Sequence, residues 1–174
     1  MDIRLATADE YGKVIAFYRE MIEKMQSSVY CPPWIIGVYP TDDYLKTLVL
    51  AQEMFIGLEG DKIIAATVLN HRPSEEYAIV KWDVDATDDE ALIIHLLCVL
   101  PEYGGRGYAK QLLDFAKKYA AETGQKALRL DAIEANFPAI GLYEGFGFKR
   151  MDTVHMYFIT AGWANFIMYE YRVE

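Results

Sequence analysis

Cysteine and histidine are scarce in this 174-residue chain, with Cys31 and Cys98 the two cysteines and only three histidines beside them. Two cysteines close at most one disulfide, which excludes a disulfide-stapled scaffold. His95 and Cys98 stand three apart on a predicted strand and face opposite sides, with no further His or Cys near in sequence, so no metal site is expected. Basic residues are also in deficit, 17 against 26 acidic ones, for a net charge of −9. Without a basic cluster to displace counterions from phosphates, no nucleic-acid partner is expected. No apolar run reaches bilayer-spanning length, so no membrane partner is expected either. The opening Met1-Asp2-Ile3-Arg4-Leu5 has neither the basic nor the apolar region of a secretory signal, and a cytoplasmic location is the expectation. Repeats, low-complexity tracts and linkers are absent, which points to a single domain over residues 1–174.

What the chain has is enough apolar material for a sizeable core, 53% of its residues, in alternating strand and helix patterns. Ile3 to Ala6 reads as a strand. Thr7 with Glu10 makes a capping box opening a helix to about Lys24, with Tyr11, Val14, Ile15, Tyr18, Met21, Ile22 and Met25 facing inward. After an irregular stretch from Gln26 to Pro40, Thr41 caps a second helix through about Ala51. Met54 to Leu58 and Lys62 to Leu69 flank Glu59-Gly60-Asp61 as a hairpin. Asn70 to Glu76 reads as a polar loop and Tyr77 to Val84 as a strand. The acidic run Asp83 to Glu90 is a solvated loop, or an entrance that draws in cationic amines.

Ala91 to Leu100 is a nearly unbroken apolar run closed by Pro101, as expected of a central strand buried on both faces. Tyr108, Ala109, Leu112, Leu113, Ala116, Tyr119 and Ala120 then recur at helical spacing up to Gly124. Between the two, Gly104, Gly105 and Gly107 let the main chain curl so that several N–H groups converge at the positive end of the helix dipole, a natural place for a diphosphate. Neither the dinucleotide fingerprint, which needs glycine where Lys110 stands, nor the P-loop pattern fits. Downstream, strand Ala127 to Ile133 leads to Asn136 and Pro138, a helix-start signal, and Gly145 and Gly147 end that helix. A strand follows from Phe148, and Val154 to Tyr169 reads as strand, turn and strand.

These stretches together resemble the GCN5-related N-acetyltransferases. The family's acyl-CoA signature has an apolar strand ending in Val-x-Pro, then Arg or Gln, two variable residues, Gly, one variable residue, and Gly or Ala. Here it reads Val99-Leu100-Pro101 followed by Gly104-Gly105-Arg106-Gly107-Tyr108-Ala109. The later pattern, Asn-x-x-Ala-x-x-Leu-Tyr-x-x-x-Gly-Phe, is matched by Asn136, Ala139, Leu142, Tyr143, Gly147 and Phe148. The departure is Gly104, where the family usually has Arg or Gln. Family members hold the pyrophosphate mainly through main-chain N–H groups, and Arg106 offers a cation nearby.

The resemblance implies an α/β fold with a mixed, largely antiparallel central sheet flanked by helices, and direct transfer of acetyl from acetyl-CoA to a primary amine of a small molecule, peptide or protein. It places acetyl-CoA against Cys98, Val99, Gly104, Gly105, Arg106, Gly107, Tyr108, Ala109 and Lys110, with Asn136 on the pantetheine arm. A main-chain N–H near Val99 would polarise the thioester carbonyl. Tyr143 occupies the family's position for the acid that protonates the departing thiolate. For the base that deprotonates the amine, His95 has a suitable free pKa of about 6.5. It shares the face of Val99 if the strand stays regular; a bulge would reverse this, and the alternative is a structural histidine. Glu90, Glu134 and His155 are further candidates. Trp34 and Tyr39 wall the acceptor pocket or simply cap the core, and Cys98 is a small apolar filler rather than a nucleophile. The aromatic C-terminal strands either join two copies as a homodimer or complete the monomer's own core. The alternative function is a catalytically inactive acyl-CoA-binding or sensing module of the same fold.

Overall fold

The chain is described by a computed structural model over residues 1–26, 28 and 32–174. Among the described residues seven strands, β1 (Asp2–Leu5), β2 (Met54–Glu59), β3 (Lys62–Asn70), β4 (Ala91–Val99), β5 (Ala127–Ile133), β6 (Lys149–Phe158) and β7 (Gly162–Arg172), are hydrogen-bonded in the order β1-β2-β3-β4-β5-β7-β6. The fold is mixed α/β with a mostly antiparallel sheet, and β4 and β5 form a parallel pair. Two compact units are distinguished, Met1–Leu69 with His95–Leu112, and Asn70–Ile94 with Leu113–Glu174. Cys31 lies outside the described residues, and with it any pairing to Cys98.

The first unit opens with β1 (Asp2–Leu5) and a 3-10 turn at Ala8–Glu10, followed by α1 (Tyr11–Met25) and α2 (Asp42–Leu50). The expected Thr7 capping box is present, and Arg4 holds Glu10 with two hydrogen bonds of 2.8 and 2.9 Å. That bidentate contact pushes the buried Glu10 carboxyl down to about 2. Thr41 Oγ1 accepts from Tyr44 N at 3.1 Å and starts α2. The buried face of α1 is Val14, Phe17, Tyr18, Met21 and Ile22. Tyr11, expected inside, is instead exposed, with Lys46 Nζ 4.7 Å from its ring centroid. The apolar face drifts round a helix of 3.6 residues per turn, and Phe17 takes the inward place.

Strands β2 (Met54–Glu59) and β3 (Lys62–Asn70) form the expected hairpin, with Glu59 opposite Lys62 and Gly60 at φ +60° in the turn. Strand β4 (Ala91–Val99) contributes His95 onward to this unit. Leu96, Cys98 and Leu100 pack with α1, α2, Met54 and Ile56, while Leu97 and Val99 pack with Leu112. The alternation expected of a strand buried on both faces is therefore present after residue 95.

In the second unit, α3 (Tyr108–Glu122) supplies Leu113 onward. It is followed by β5 (Ala127–Ile133), α4 (Phe137–Gly145), β6 (Lys149–Phe158) and β7 (Gly162–Arg172). Strand β7 pairs antiparallel with both β5 and β6. Tyr77, Val80, Ile93, Val154, Met156, Phe166 and Met168 form one apolar cluster there.

The strand expected over Tyr77 to Val84 is absent. A 3-10 helix at Glu75–Ile79 stands at its start, and the chain beyond it makes its hydrogen bonds elsewhere. Asp83 N and Val84 N both donate to Glu170 Oε1 at 2.9 Å, and Arg129 Nη2 donates to Val84 O at 3.0 Å. Arg129 and Glu170, opposite one another on β5 and β7, form a buried ion pair at 3.0 Å. Their side chains take the place of a sheet ladder, so tertiary contacts override the strand pattern.

Candidate functional site

In the first unit, β4 runs into a 3-10 turn at Pro101–Tyr103 and then the exposed glycine loop before α3. Gly104 N donates to Pro101 O at 2.9 Å, so its N–H is engaged within the turn. Gly105 and Gly107 have φ of +73° and +79°, the left-handed region that side chains disfavour. A Cβ added at either would meet no atom within 4 Å, which leaves the space above the loop open to a ligand. Gln111 N donates to Gly107 O at 3.1 Å. Helix geometry then leaves the N–H groups of Tyr108, Ala109 and Lys110 without intrahelical acceptors. The loop therefore suits an anion such as a diphosphate: N–H groups without intrahelical acceptors at the dipole end of α3, beside open space at Gly105 and Gly107.

Around this loop Arg106 lies over the Tyr103 ring at 5.1 Å, and Tyr108 donates to Glu59 Oε1 at 2.7 Å. Both contacts fix the aromatic rim of the loop. Lys110 is exposed on the first turn of α3. Gly104 has no room to spare, since an added Cβ would stand 3.0 Å from Pro101 O. Glycine at the family's Arg or Gln position thus accompanies a tight turn that already uses this residue's N–H.

The centre of β4 is irregular. Leu96 has φ +52°, rare for a non-glycine residue. Its carbonyl accepts from the buried Tyr18 hydroxyl at 2.9 Å, and His95 O accepts from Thr67 Oγ1 at 3.3 Å. The regular alternation that would put His95 on the face of Val99 is thus interrupted at the intervening residue. His95 itself is half-buried, and its Nε2 atom is buried. The Cys98 thiol is buried beside Tyr18, and burial pushes it far above the usual thiol range, so it stays protonated and apolar. Tyr18 was not among the expected site residues. Its helical spacing marked it only as core, and nothing in sequence pairs it with a carbonyl 78 residues away.

Trp34 and Tyr39 also belong to the first unit. Both are half-buried against the cluster of α1 and α2, with Trp34 at 6.0 Å from Tyr18 and Tyr39 at 6.0 Å from Tyr44. Ile35 and Tyr39 close a small turn through paired main-chain hydrogen bonds of 3.0 Å. Each aromatic therefore has one edge in the core and one outside it.

In the second unit, Asn136 Oδ1 accepts from Ala139 N at 3.3 Å and caps α4 as its sequence predicts. Tyr143 is buried on that helix, its ring 5.9 Å from Tyr169 and 6.1 Å from Phe148. Tyr169 donates to Glu144 at 3.0 Å, which ties α4 to β7. Of the further base candidates, Glu90 is paired with Lys126 at 2.7 Å, and that contact lowers its pKa. His155 Nδ1 lies 2.9 Å from Asn165 Oδ1, and Asn165 donates to Glu134 at 2.9 Å, all three exposed. A further pair was not anticipated: the buried Tyr77 hydroxyl donates to Asp131 Oδ1 at 2.8 Å. The signal available for it was the alternation of Arg129 and Asp131 within an otherwise apolar strand.

Among the described residues no group of His, Cys, Asp and Glu forms a metal site, and no helix is long and apolar enough to cross a membrane. The acetyltransferase (GNAT) family profile matches residues 16–148. A GNAT-family acetyltransferase from Streptococcus agalactiae superposes with a TM-score of 0.80 at 18% identity, over 99% of this chain and 95% of that one. A Salmonella typhimurium protein solved with its cofactor acetyl-CoA gives 0.73 at 13% identity, over 100% and 94%. NAA60 of Arabidopsis thaliana in complex with acetyl-CoA gives 0.72 at 18%, over 99% and 98%. No curated protein is detectably similar in sequence.

Proposed function

Because the chain belongs to the acetyltransferase (GNAT) family, we propose that it is an acetyl-CoA-dependent N-acetyltransferase, a single domain over residues 1–174 acting on a primary amine of a small molecule, peptide or protein. The observation that carries this reading is the open glycine loop, whose residues 105 and 107 adopt left-handed φ directly before the unsatisfied first turn of α3.

Each step asks something definite of this chain. Main-chain N–H groups from Gly105 to Lys110 hold the pyrophosphate, with Arg106 as the nearby cation. The main chain at Cys98 and Val99 polarises the thioester carbonyl, and Asn136 meets the pantetheine arm. The acceptor, protonated at neutral pH, gives its proton to a base, for which His95 is one candidate. Its nitrogen then attacks the carbonyl carbon, the C–S bond breaks, Tyr143 protonates the sulfur, and the second proton lost by the nitrogen restores Tyr143. Free Tyr has a pKa of about 10, near that of a thiol, so this proton moves with little cost. Trp34 and Tyr39 line the way in for the amine, and the net charge of −9 favours a cationic acceptor.

Isothermal titration with acetyl-CoA and, separately, NADH tests the assignment, together with a thiol reagent that detects CoA release in the presence of amines. Selective binding of acetyl-CoA with amine-dependent release supports it. A second reading, an inactive acyl-CoA-binding module, is favoured by Gly104, whose N–H is taken by Pro101 O and which offers no side chain to the ligand. Binding without release under any amine selects that reading, and absence of binding removes both.

A further inference from the structure

Strand β5 sends alternate side chains to the two faces of its sheet. On β7, Glu170 turns toward residues 83 and 84, while its neighbour Tyr169 turns the other way, to Glu144 and the Tyr143 ring. Helix α4 therefore lies on one face of these strands and the segment around Tyr77 to Val84 on the other. Asp131 is two residues from Arg129 and shares its face, where Tyr77 donates to it at 2.8 Å. Tyr77 is buried and Asp131 half-buried.

Tyr77 and Glu76 face Asp131 from the 3-10 helix, Met168 stands opposite on β7, and Arg129 on its own strand is committed to Glu170. Tyr143, on the other face, acts electrostatically on Tyr77. Burial raises the Asp131 carboxyl above the ordinary range, the Tyr77 hydrogen bond opposes that rise, and the Glu76 charge adds to it. Glu90, by contrast, is made a weaker base by Lys126.

We propose that Asp131 is the proton acceptor for the amine, with Tyr77 as its positioning residue, on the sheet face opposite the acid Tyr143. This assignment rests on the acetyltransferase reading. The acceptor ammonium gives one proton to the Asp131 carboxylate, directly or through water. The nitrogen lone pair forms the C–N bond as the C–S bond breaks, and the sulfur takes the Tyr143 proton. The nitrogen loses a second proton, which restores Tyr143, and Asp131 releases its proton to solvent. An ammonium ion and acetyl-CoA thus yield an N-acetyl amide, CoA thiol and one proton.

The test has a readout that needs no substrate. In ligand-free protein with carbon-13-labelled carboxyl groups, the signal missing from Asp131→Asn is expected to titrate above the free Asp value of about 3.9. Tyr77→Phe removes a donor that favours the charged form, so it raises that midpoint further. Turnover of spermidine, an arylalkylamine and a tetrapeptide with a free amino terminus gives the second readout. Asp131→Asn is expected to lower kcat/KM by about 10²-fold or more and abolish its acid limb, with acetyl-CoA affinity unchanged. Tyr77→Phe shifts that limb to higher pH by the same displacement as the carboxyl midpoint, which a merely structural role would not do. A carboxyl midpoint at or below about 3.9, an acid limb unmoved in both variants, or a limb moved by His95→Asn instead overturns the assignment. Wild-type turnover with an unmoved limb sinks only the base; no turnover with any of these amines sinks the proposed activity and the base together.

Discussion

Helices α3 and α4 both follow a strand and a short turn, yet their first turns are completed in opposite ways. At α4 the chain closes its own helix: Asn136 Oδ1 takes the Ala139 N–H. At α3 the residue before the helix is Gly107, which has no side chain with which to do so, and its carbonyl accepts from Gln111 N. The difference separates two tasks that look alike in sequence. A helix start closed from within positions what the helix carries, here Tyr143, while one left open offers its N–H groups to an anion.

The comparison predicts that loss of the Tyr143 hydroxyl from α4 acts on turnover and damage at the start of α3 on binding. The largest effect is expected for Tyr143→Phe: kcat falls about 10²-fold with acetyl-CoA affinity unchanged, as steady-state kinetics and calorimetry together would show. An affinity loss matching the rate loss would erase the distinction. Next is Gly107→Val, which forces a β-branched residue to φ +79°. Its left-handed strain of about 1–2 kcal/mol or more is expected to weaken acetyl-CoA binding about tenfold, measured by titration. Gly107→Asn, which tolerates left-handed backbone, should retain most of the affinity lost in the valine variant. If asparagine is as damaging as valine, the helix start matters through something other than backbone shape. Smallest is Asn136→Ala, which removes the α4 cap and costs about 1 kcal/mol, a fall in Tm of about 2–4 °C in a thermal melt. Asn136→Asp, an equally good cap, should restore it.

Much of this arrangement was legible in the sequence because its signals are local. The Thr7 and Thr41 starts, the hairpin at Gly60, strand β5 and the Asn136 start each depend on residues within a few positions of one another, and each appears where the pattern places it. The glycine loop was legible for the same reason. The failures have a common cause as well. Tyr77 to Val84 alternates like a strand, but Glu170 and Arg129, which claim its main chain, lie 45 or more residues away. Leu96 gives no local hint of left-handed backbone, since leucine avoids it. The Tyr77 contact to Asp131 spans 54 residues, beyond any period or spacing rule.

Leu96 has a consequence for the energetics of β4. Glycine would adopt its φ without cost, whereas leucine carries a penalty of about 1–2 kcal/mol. The side chain offsets this, being 6% exposed within the cluster of α1 and α2, where burial of a leucine is worth about 1.5–3 kcal/mol. Its carbonyl is held separately by Tyr18. The bend is thus clamped from two directions by groups that belong to the folded core. The bend in the middle of β4 is set by contacts within the folded core, and the free energy of arranging it belongs to folding.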